Sequence, residues 1–505
     1  MHALVALFLA ISILELTIWF PALWDSRKLI TWFVVSLLTP LSIGLLTIRP
    51  SLATLMIAFF SVYRVINLFR LIRNRVHIDH LYKSSNVSAM SLMGIQFIVI
   101  TLLMLSDRYS ISGAIWLYVV GVFQLVAAVI VISSTIRHLR TTKPIIITKS
   151  YSDKELPTVT VAIPARNETS NLSDCLNSLI SSNYPKLEIL VLDDCSQDRR
   201  TPEIIKDFAL RGVRFIAGKI PPEKWLAKNY AYKQLVDESS GELIIFCGVD
   251  TRFEPSTIRS LVELSLIKNK QMISLIPTNN FSKISGLWQF LVQPSRYAWE
   301  LTLPRRLLNR PAVLSTCWMI RRSLLLSSGG FEAVTNTISP ESYFARRAIS
   351  ANDGYSFMQA NSSIFLASVK SISDQKDTAI RTRYPQLHKR PEVAGIVTTV
   401  EFATLILPIF MVGIGIAVSN PAVIVIASIS TCLQQYAYGR VIDLTYRKNI
   451  VSGYFALPLA ALFDLYLLNV SMIRYEFGEV IWKDRNVCIP IMDVRNGATK
   501  NRSLI

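Results

Sequence analysis

Apolar runs crowd the two ends of the chain, and a longer polar stretch separates them. Runs at 3–24, 29–48, 52–69, 89–105 and 115–136 each approach the roughly 20 residues that cross a bilayer. Arg64, near the end of the third run, is placed to reach the headgroups with its long side chain. The first run has no basic leader and is followed at once by further apolar segments, so it reads as a retained span and not as a cleaved signal peptide. Apolar runs return after Glu392, at 393–418, 422–432 and 454–472. The pattern predicts about five transmembrane helices in residues 1–145, a polar domain at 146–390, two or three further helices in 391–475, and a tail at 476–505.

Within the polar domain the periodicity changes. Residues 159–163 (Val-Thr-Val-Ala-Ile) read as a buried strand stopped by Pro164, and Leu172, Leu176 and Leu179 then recur at helical spacing. Further strands are predicted at 187–192, 213–216 and 243–246, with helices at 202–210 and 228–236 between them. Strands that alternate with helices and end in polar residues predict a doubly wound α/β sheet with its ligand crevice at the strand C-termini.

Composition supports this division and sharpens it. The chain is 51% hydrophobic and only 17% charged, against roughly 25% charged in ordinary soluble domains. Its 53 Lys and Arg exceed its 35 Asp and Glu by 18. Basic clusters at Arg27-Lys28, at Arg70, Arg73, Arg75 and Lys83, and at Arg137, Arg140 and Lys143 are separated by even numbers of predicted spans. The positive-inside rule then puts the N-terminus outside and residues from 141 onward in the cytosol of a multi-pass plasma-membrane protein. Three crossings after residue 392 would leave the basic 482–485 tail outside, so one C-terminal run is expected to be re-entrant or interfacial. The surplus charge lies beside predicted spans and is not interleaved with aromatics, which argues against nucleic acid as a partner. Six cysteines without a CxxC pair indicate neither a disulfide framework nor a zinc site. His77-x-x-His80 has metal-like spacing but sits in a basic juxtamembrane loop, where an interfacial role fits better than a metal site.

The candidate chemistry follows successive strands: Arg166-Asn167-Glu168, Asp193-Asp194, and Asp250 within Gly248-Val249-Asp250-Thr251. In an open α/β sheet these positions converge on one crevice. Carboxylates there suit the base and ribose of a nucleotide, and Asp250 suits a divalent cation held against a diphosphate. Neither GxGxxG nor GxxxxGK[ST] occurs. From Val159 to about Tyr384 the chain resembles the family 2 glycosyltransferases, membrane-associated inverting enzymes with a GT-A (Rossmann-like) fold. The resemblance rests on Val-Ala-Ile-Pro-Ala-Arg-Asn-Glu (161–168), Leu-Glu-Ile-Leu-Val-Leu-Asp-Asp-Cys-Ser-Gln-Asp (187–198), Trp-Leu-Ala-Lys-Asn (225–229), Gly-Val-Asp-Thr-Arg-Phe (248–253) and Ser-Gly-Gly-Phe (328–331).

That resemblance implies that Pro164, Ala165 and Glu168 line the nucleotide pocket, that Asp194 contacts uracil or ribose, and that Lys228 approaches the diphosphate. Asp250 matches the last acid of the family's DxD motif and would touch Mg²⁺ or Mn²⁺, while Gly248 replaces the first acid. Glu341 aligns with the Glu of the family's Glu-Asp pair and is the candidate general base, with Ser342 where the Asp is expected. At the place of QxxRW the chain reads Ile380-Arg381-Thr382-Arg383-Tyr384, so Arg383 and Tyr384 would keep a cation and an aromatic face near the diphosphate. A second match, Gln293-Pro-Ser-Arg296-Tyr297, precedes Glu341 and is set aside as coincidence. The implied function is inverting transfer of a sugar from a nucleotide sugar, in the first place a UDP-sugar, to a lipid-linked or polysaccharide acceptor at the cytosolic membrane face. The second reading is a pseudoenzyme that binds a nucleotide sugar as a scaffold, since Gly248, Ser342 and Ile380 all depart from the family's motifs.

Overall fold

The computed structural model describes residues 113–144, 150–279, 286–302, 311–351, 354–361, 364–389, 391–446, 450–476 and 480–488. The spans expected before residue 113, the His77 and His80 pair, and the tail beyond 488 lie outside them. The chain divides into two units, one of residues 1–120, 389–399 and 494–505 and the other of residues 121–388 and 400–493. The described part of the first consists of stretches of two long helices. The site lies wholly within the second.

The described α-helices of six or more residues are α1 (Gly113–Thr141), α2 (Ser170–Ile180), α3 (Arg200–Ala209), α4 (Ala227–Glu238), α5 (Thr257–Ile267), α6 (Gln293–Thr302), α7 (Arg322–Ser327), α8 (Pro340–Ser350), α9 (Ile372–Gln386), α10 (Pro391–Glu401), α11 (Leu407–Ala417), α12 (Pro421–Tyr446) and α13 (Leu457–Glu476). The strands are β1 (Val159–Ala165), β2 (Leu187–Asp193), β3 (Val213–Ala217), β4 (Leu243–Cys247), β5 (Thr251–Phe253), β6 (Met272–Ile276), β7 (Cys317–Arg321), β8 (Tyr355–Gln359), β9 (Leu366–Ser368), β10 (Ile481–Trp482) and β11 (Arg485–Asn486).

Seven strands form the main sheet in the order β3-β2-β1-β4-β7-β6-β8. β7 runs antiparallel to both of its neighbours, while β1 is parallel to β2 and β4, β2 to β3, and β6 to β8. The expected α/β fold is therefore present as a mixed sheet. Helices cover both faces, so the strands read as continuous apolar runs. Val161, Ile163 and Val191 pack with Leu172, Leu176 and Leu179 of α2 on one face. Ala162, Leu190 and Phe246 pack with Tyr232 and Leu235 of α4 on the other, together with Trp318, Phe331 and Phe344.

Pro164 stands inside β1 instead of ending it. The β1–β4 ladder stops at Ala162–Phe246 while the β1–β2 ladder continues to Ala165–Asp193. One side of β1 is therefore an unpaired edge at Pro164, where a missing N–H costs no ladder bond. The chain runs from β1 through β2 to β3 on one side, then returns to place β4 on the other side of β1. That reversal opens a crevice at the strand C-termini. A second small sheet pairs β5 with β9, matching Thr251 to Ser368, and so brings the segment after residue 368 beside Asp250.

Three described helices are long and apolar enough to cross a membrane: Ile115–Thr141, Val393–Ala417 and Leu457–Tyr475. The second is interrupted by a π-helical turn at Phe402–Ile406, followed by Pro408. Wider helical turns of this kind re-accommodate a chain whose proline cannot donate its N–H. The apolar run at 422–432 belongs to α12, which extends into polar sequence and is not one of the three. All six cysteines are free thiols.

Trp318 is fully buried, stacks on Phe246 with ring centroids 4.3 Å apart, and its indole N–H has no acceptor. Trp318→Ala should cost about 3–5 kcal/mol by opening a cavity in the centre of the sheet. Trp318→Phe should cost markedly less, because it also removes the unsatisfied donor. Thermal unfolding of the detergent-solubilised protein, followed by intrinsic fluorescence, checks both the loss and the order.

Candidate active site

The crevice is a cleft of about 380 Å³ lined by the ends of β1, β2 and β4, the start of α4, one face of α9 and a hairpin from the C-terminal region. Pro164, Ala165, Glu168, Asp194, Lys228 and Asp250 all line it. Local folding aims these side chains. Asn167 and Cys195 adopt positive φ at the turns that leave β1 and β2. Buried Arg166 ties those turns together, donating to the backbone carbonyls of Asp194 at 2.8 Å and Cys195 at 2.6 Å. The two adjacent acids divide their work. Asp193 accepts from the Ser196 N–H at 3.2 Å and caps its own turn, whereas Asp194 points into the cleft.

Four cations converge here. Lys228, Lys370 and Arg381 line the cleft, and Arg296 on α6 lies close enough for its charge to act on all three. Burial, reinforced by the neighbouring positive charges, pushes the Lys228 ammonium down to about 8, although Glu341 opposes the shift. The same causes lower Lys370 and Arg381. Burial lowers Arg296 as well, against the carboxylate of Glu300. Lys228 also lies over the Tyr232 ring, 5.2 Å from its centroid. Asp250 Oδ2 faces Lys370 Nζ at 3.3 Å.

The hairpin of β10 and β11 turns through Lys483 and Asp484, both at positive φ. This two-residue turn matches the twist of the paired strands. Its side chains take up the carboxylates of the cleft. Arg485 Nη1 donates to both oxygens of Asp194 at 2.7 Å, and Lys483 Nζ lies 2.8 Å from Glu168 Oε1. Arg166 Nε donates to the Lys483 carbonyl at 2.8 Å, and Asn167 Nδ2 to Asp484 Oδ2 at 3.0 Å. Arg381 sits 4.6 Å from the centroid of the Trp482 ring. Burial raises the carboxyls of Asp194 and Glu168 above their ordinary values, while Arg485 and Lys483 respectively pull them back. The 482–485 segment thus packs directly on the turns that leave β1 and β2. Among the described residues, two helices between residues 393 and 475 are long and apolar enough to cross a membrane.

Three residues expected at the site lie elsewhere. Arg383 is 1% exposed, ion-paired with Asp464 of α13 and stacked on Trp299 at 4.4 Å. Tyr384 is fully buried against Tyr475. Arg381 takes the cleft position because residues two apart on a helix lie about 200° apart around its axis. Glu341, in the first turn of α8, is buried beside Lys228 with Oε2 accepting no hydrogen bond, and it is not among the cleft-lining residues. The neighbouring Ser342 hydroxyl is likewise buried without a partner. Sequence reasoning missed Lys370, Lys483 and Arg485, which no local motif marks. It also set aside Arg296, whose QxxRY spacing was the one available sign.

Residues 160–327 match the family model described as glycosyl transferase family 2. The chain is 29% identical over 197 residues to the probable glycosyltransferase YdaM of Bacillus subtilis (strain 168), which covers 35% of this chain and 44% of that protein. It is 35% identical over 99 residues to the glycosyltransferase AglE of Haloferax volcanii, which covers 19% of this chain and 31% of the other. The chain thus spans less than half the length of these curated relatives. Among solved structures it is similar to the mannosyltransferase PcManGT from Pyrobaculum calidifontis, a complex with GDP-Man and Mn²⁺, at 15% identity and a TM-score of 0.43 over 71% of this chain and 98% of that one. The segment that builds β1 through α7 is thus similar to the family 2 glycosyltransferases, and it carries the α/β sheet described above.

Proposed function

We propose that the protein transfers a sugar, with inversion, from a nucleotide-diphosphate donor to an acceptor hydroxyl at the cytosolic face of the plasma membrane. The convergence of Lys228, Lys370, Arg381 and Arg296 on one cleft supports this reading most directly. Four cations held together despite burial and mutual repulsion call for a polyanion, and a diphosphate leaving group supplies one. Asp194 and Glu168, at the ends of β2 and β1, are placed for the nucleoside, with a UDP-sugar the first donor to try. The acceptor is a lipid-linked or polysaccharide hydroxyl, because the domain is joined to helices long enough to span a membrane.

Mg²⁺ or Mn²⁺ fits the cleft in a limited way. Asp250 offers a hard, buried carboxylate oxygen, Oδ2, faced at 3.3 Å by the Lys370 ammonium. Among the described residues no three His, Cys, Asp or Glu side chains converge as a metal cluster. The chain thus brings one ligand, and the diphosphate oxygens would bring most of the others. When bound, the ion would add positive charge where negative charge builds on the leaving group. Lys228, Lys370 and Arg381 bind and orient that leaving group. As the acceptor oxygen bonds to the anomeric carbon its hydroxyl proton passes to a base, a role for which Glu341 would have to turn into the cleft from its buried place beside Lys228, and the diphosphate departs with the electron pair of the broken C–O bond.

With Mn²⁺ and a panel of nucleotide sugars, the detergent-purified protein should release nucleoside diphosphate, and Asp250→Ala should remove at least 99% of that release, a loss of roughly 2.7 kcal/mol in barrier stabilisation. Nucleotide binding without turnover in the wild type would favour the scaffold reading instead. Because the Lys228 ammonium is present below about pH 8 and lost above it, calorimetric affinity for UDP should fall as pH rises through about 8. Lys228→Arg should flatten that fall, since a guanidinium stays charged. Arg485 occupies both oxygens of Asp194, so Arg485→Ala should tighten UDP binding several-fold in the same assay.

A further inference from the structure

Asp250 and Lys370 meet through the small second sheet. β9 pairs antiparallel with β5, and the Val369 N–H donates to the Asp250 carbonyl at 2.9 Å. This fixes the backbone of Lys370 beside that of Asp250. The lysine side chain then lines the cleft, with Nζ 3.3 Å from Asp250 Oδ2 and 3.3 Å from the Thr378 hydroxyl.

The pair is loose. A charge-assisted hydrogen bond closes to about 2.7–2.9 Å, and a lysine ammonium is a point charge on a flexible stem. The other carboxylate oxygen explains the pairing. A Cβ built on Gly248 would fall 2.4 Å from Asp250 Oδ1. The carboxylate therefore lies in space that any side chain at 248 would fill, and it turns its second oxygen toward Lys370. With glycine at 248 and lysine at 370, Asp250 has a protein-borne counter-charge.

We infer that Lys370 is the built-in counter-cation of Asp250, that it competes with divalent ions for this carboxylate, and that it serves as a diphosphate-binding cation of the donor site. The inference rests on the nucleotide-diphosphate reading above for its last part only. Competition for Asp250 concerns the chain and a metal ion alone.

The test uses the full chain in detergent. Mn²⁺ binding is measured by water-proton relaxation without nucleotide, and UDP binding by calorimetry in EDTA. Lys370→Met keeps the length of the side chain and removes its charge. It should bind Mn²⁺ about tenfold more tightly and UDP about tenfold more weakly, each a change of roughly 1.4 kcal/mol. Lys370→Gln should move both affinities in the same directions, which covers the case in which the methionine variant does not fold. Lys370→Arg, which keeps the charge, should stay close to wild type in both assays. The gain in Mn²⁺ affinity should vanish when Asp250→Ala is added. Unchanged or weaker Mn²⁺ binding in the uncharged variants overturns the inference. A wild type that binds no nucleoside diphosphate would sink the transferase reading, while the manganese comparison would still decide the competition at Asp250.

Discussion

Lys228, Arg296, Lys370 and Arg381 are drawn into one cleft where burial and their own repulsion both disfavour the charged state, and the rest of the site is arranged around that imbalance. Asp250 faces Lys370, and the charge of Glu341 acts on Lys228, Arg296 and Arg381. Glu300 opposes the shift of Arg296, and the whole group is partly screened from water, where Coulomb interactions are stronger than at the surface. An entering diphosphate would meet charge already fixed in position, so little reorganisation would accompany binding.

Acidic groups on the opposite wall are handled differently. Asp194 and Glu168 are also buried, yet Arg485 and Lys483 neutralise them from a hairpin about 290 to 315 residues further along the chain. Their pairing costs little reach, because both acids leave the sheet at adjacent strand ends tied by Arg166. The hairpin and a nucleoside would compete for the same carboxylates. Donor entry on the proposed function therefore involves exchanging an internal ion pair for an external hydrogen-bonding partner, in the same manner as exchange at Asp250.

The departures from the family's motifs make physical sense as a set. Gly248 leaves space that the Asp250 carboxylate occupies, and Lys370 answers the charge that remains. At the place of QxxRW, Arg381 keeps a cation at the cleft, whereas Arg383 serves the packing of α9 against α13 through Asp464. A buried arginine so paired is costly to disturb, since removing either partner strands a charge.

Local pattern was enough for much of the domain. Short apolar runs and period-3.6 spacing marked β1 to β4 and the helices between them, because those elements bury apolar residues against near neighbours in the chain. The polar residues directly after β1, β2 and β4 were legible for the same reason: in a parallel sheet, strand ends of one direction share one edge, so Glu168, Asp194 and Asp250 had to meet. Other features depended on contacts that no local pattern encodes. Lys370 reaches Asp250 only through the β5–β9 pairing, Arg296 arrives on a helix far from the motifs, and Arg485 comes from beyond the last apolar helix. Arg381 replaced Arg383 at the cleft because α9 turned one face of its helix to the site and the opposite face to α13. The chain by itself marked β1 to β4, the helices between them and the candidate spans, since these follow from short-range burial. Which charges face one another was decided by tertiary structure alone, because charge pairing depends on distance in space and carries no period along the sequence.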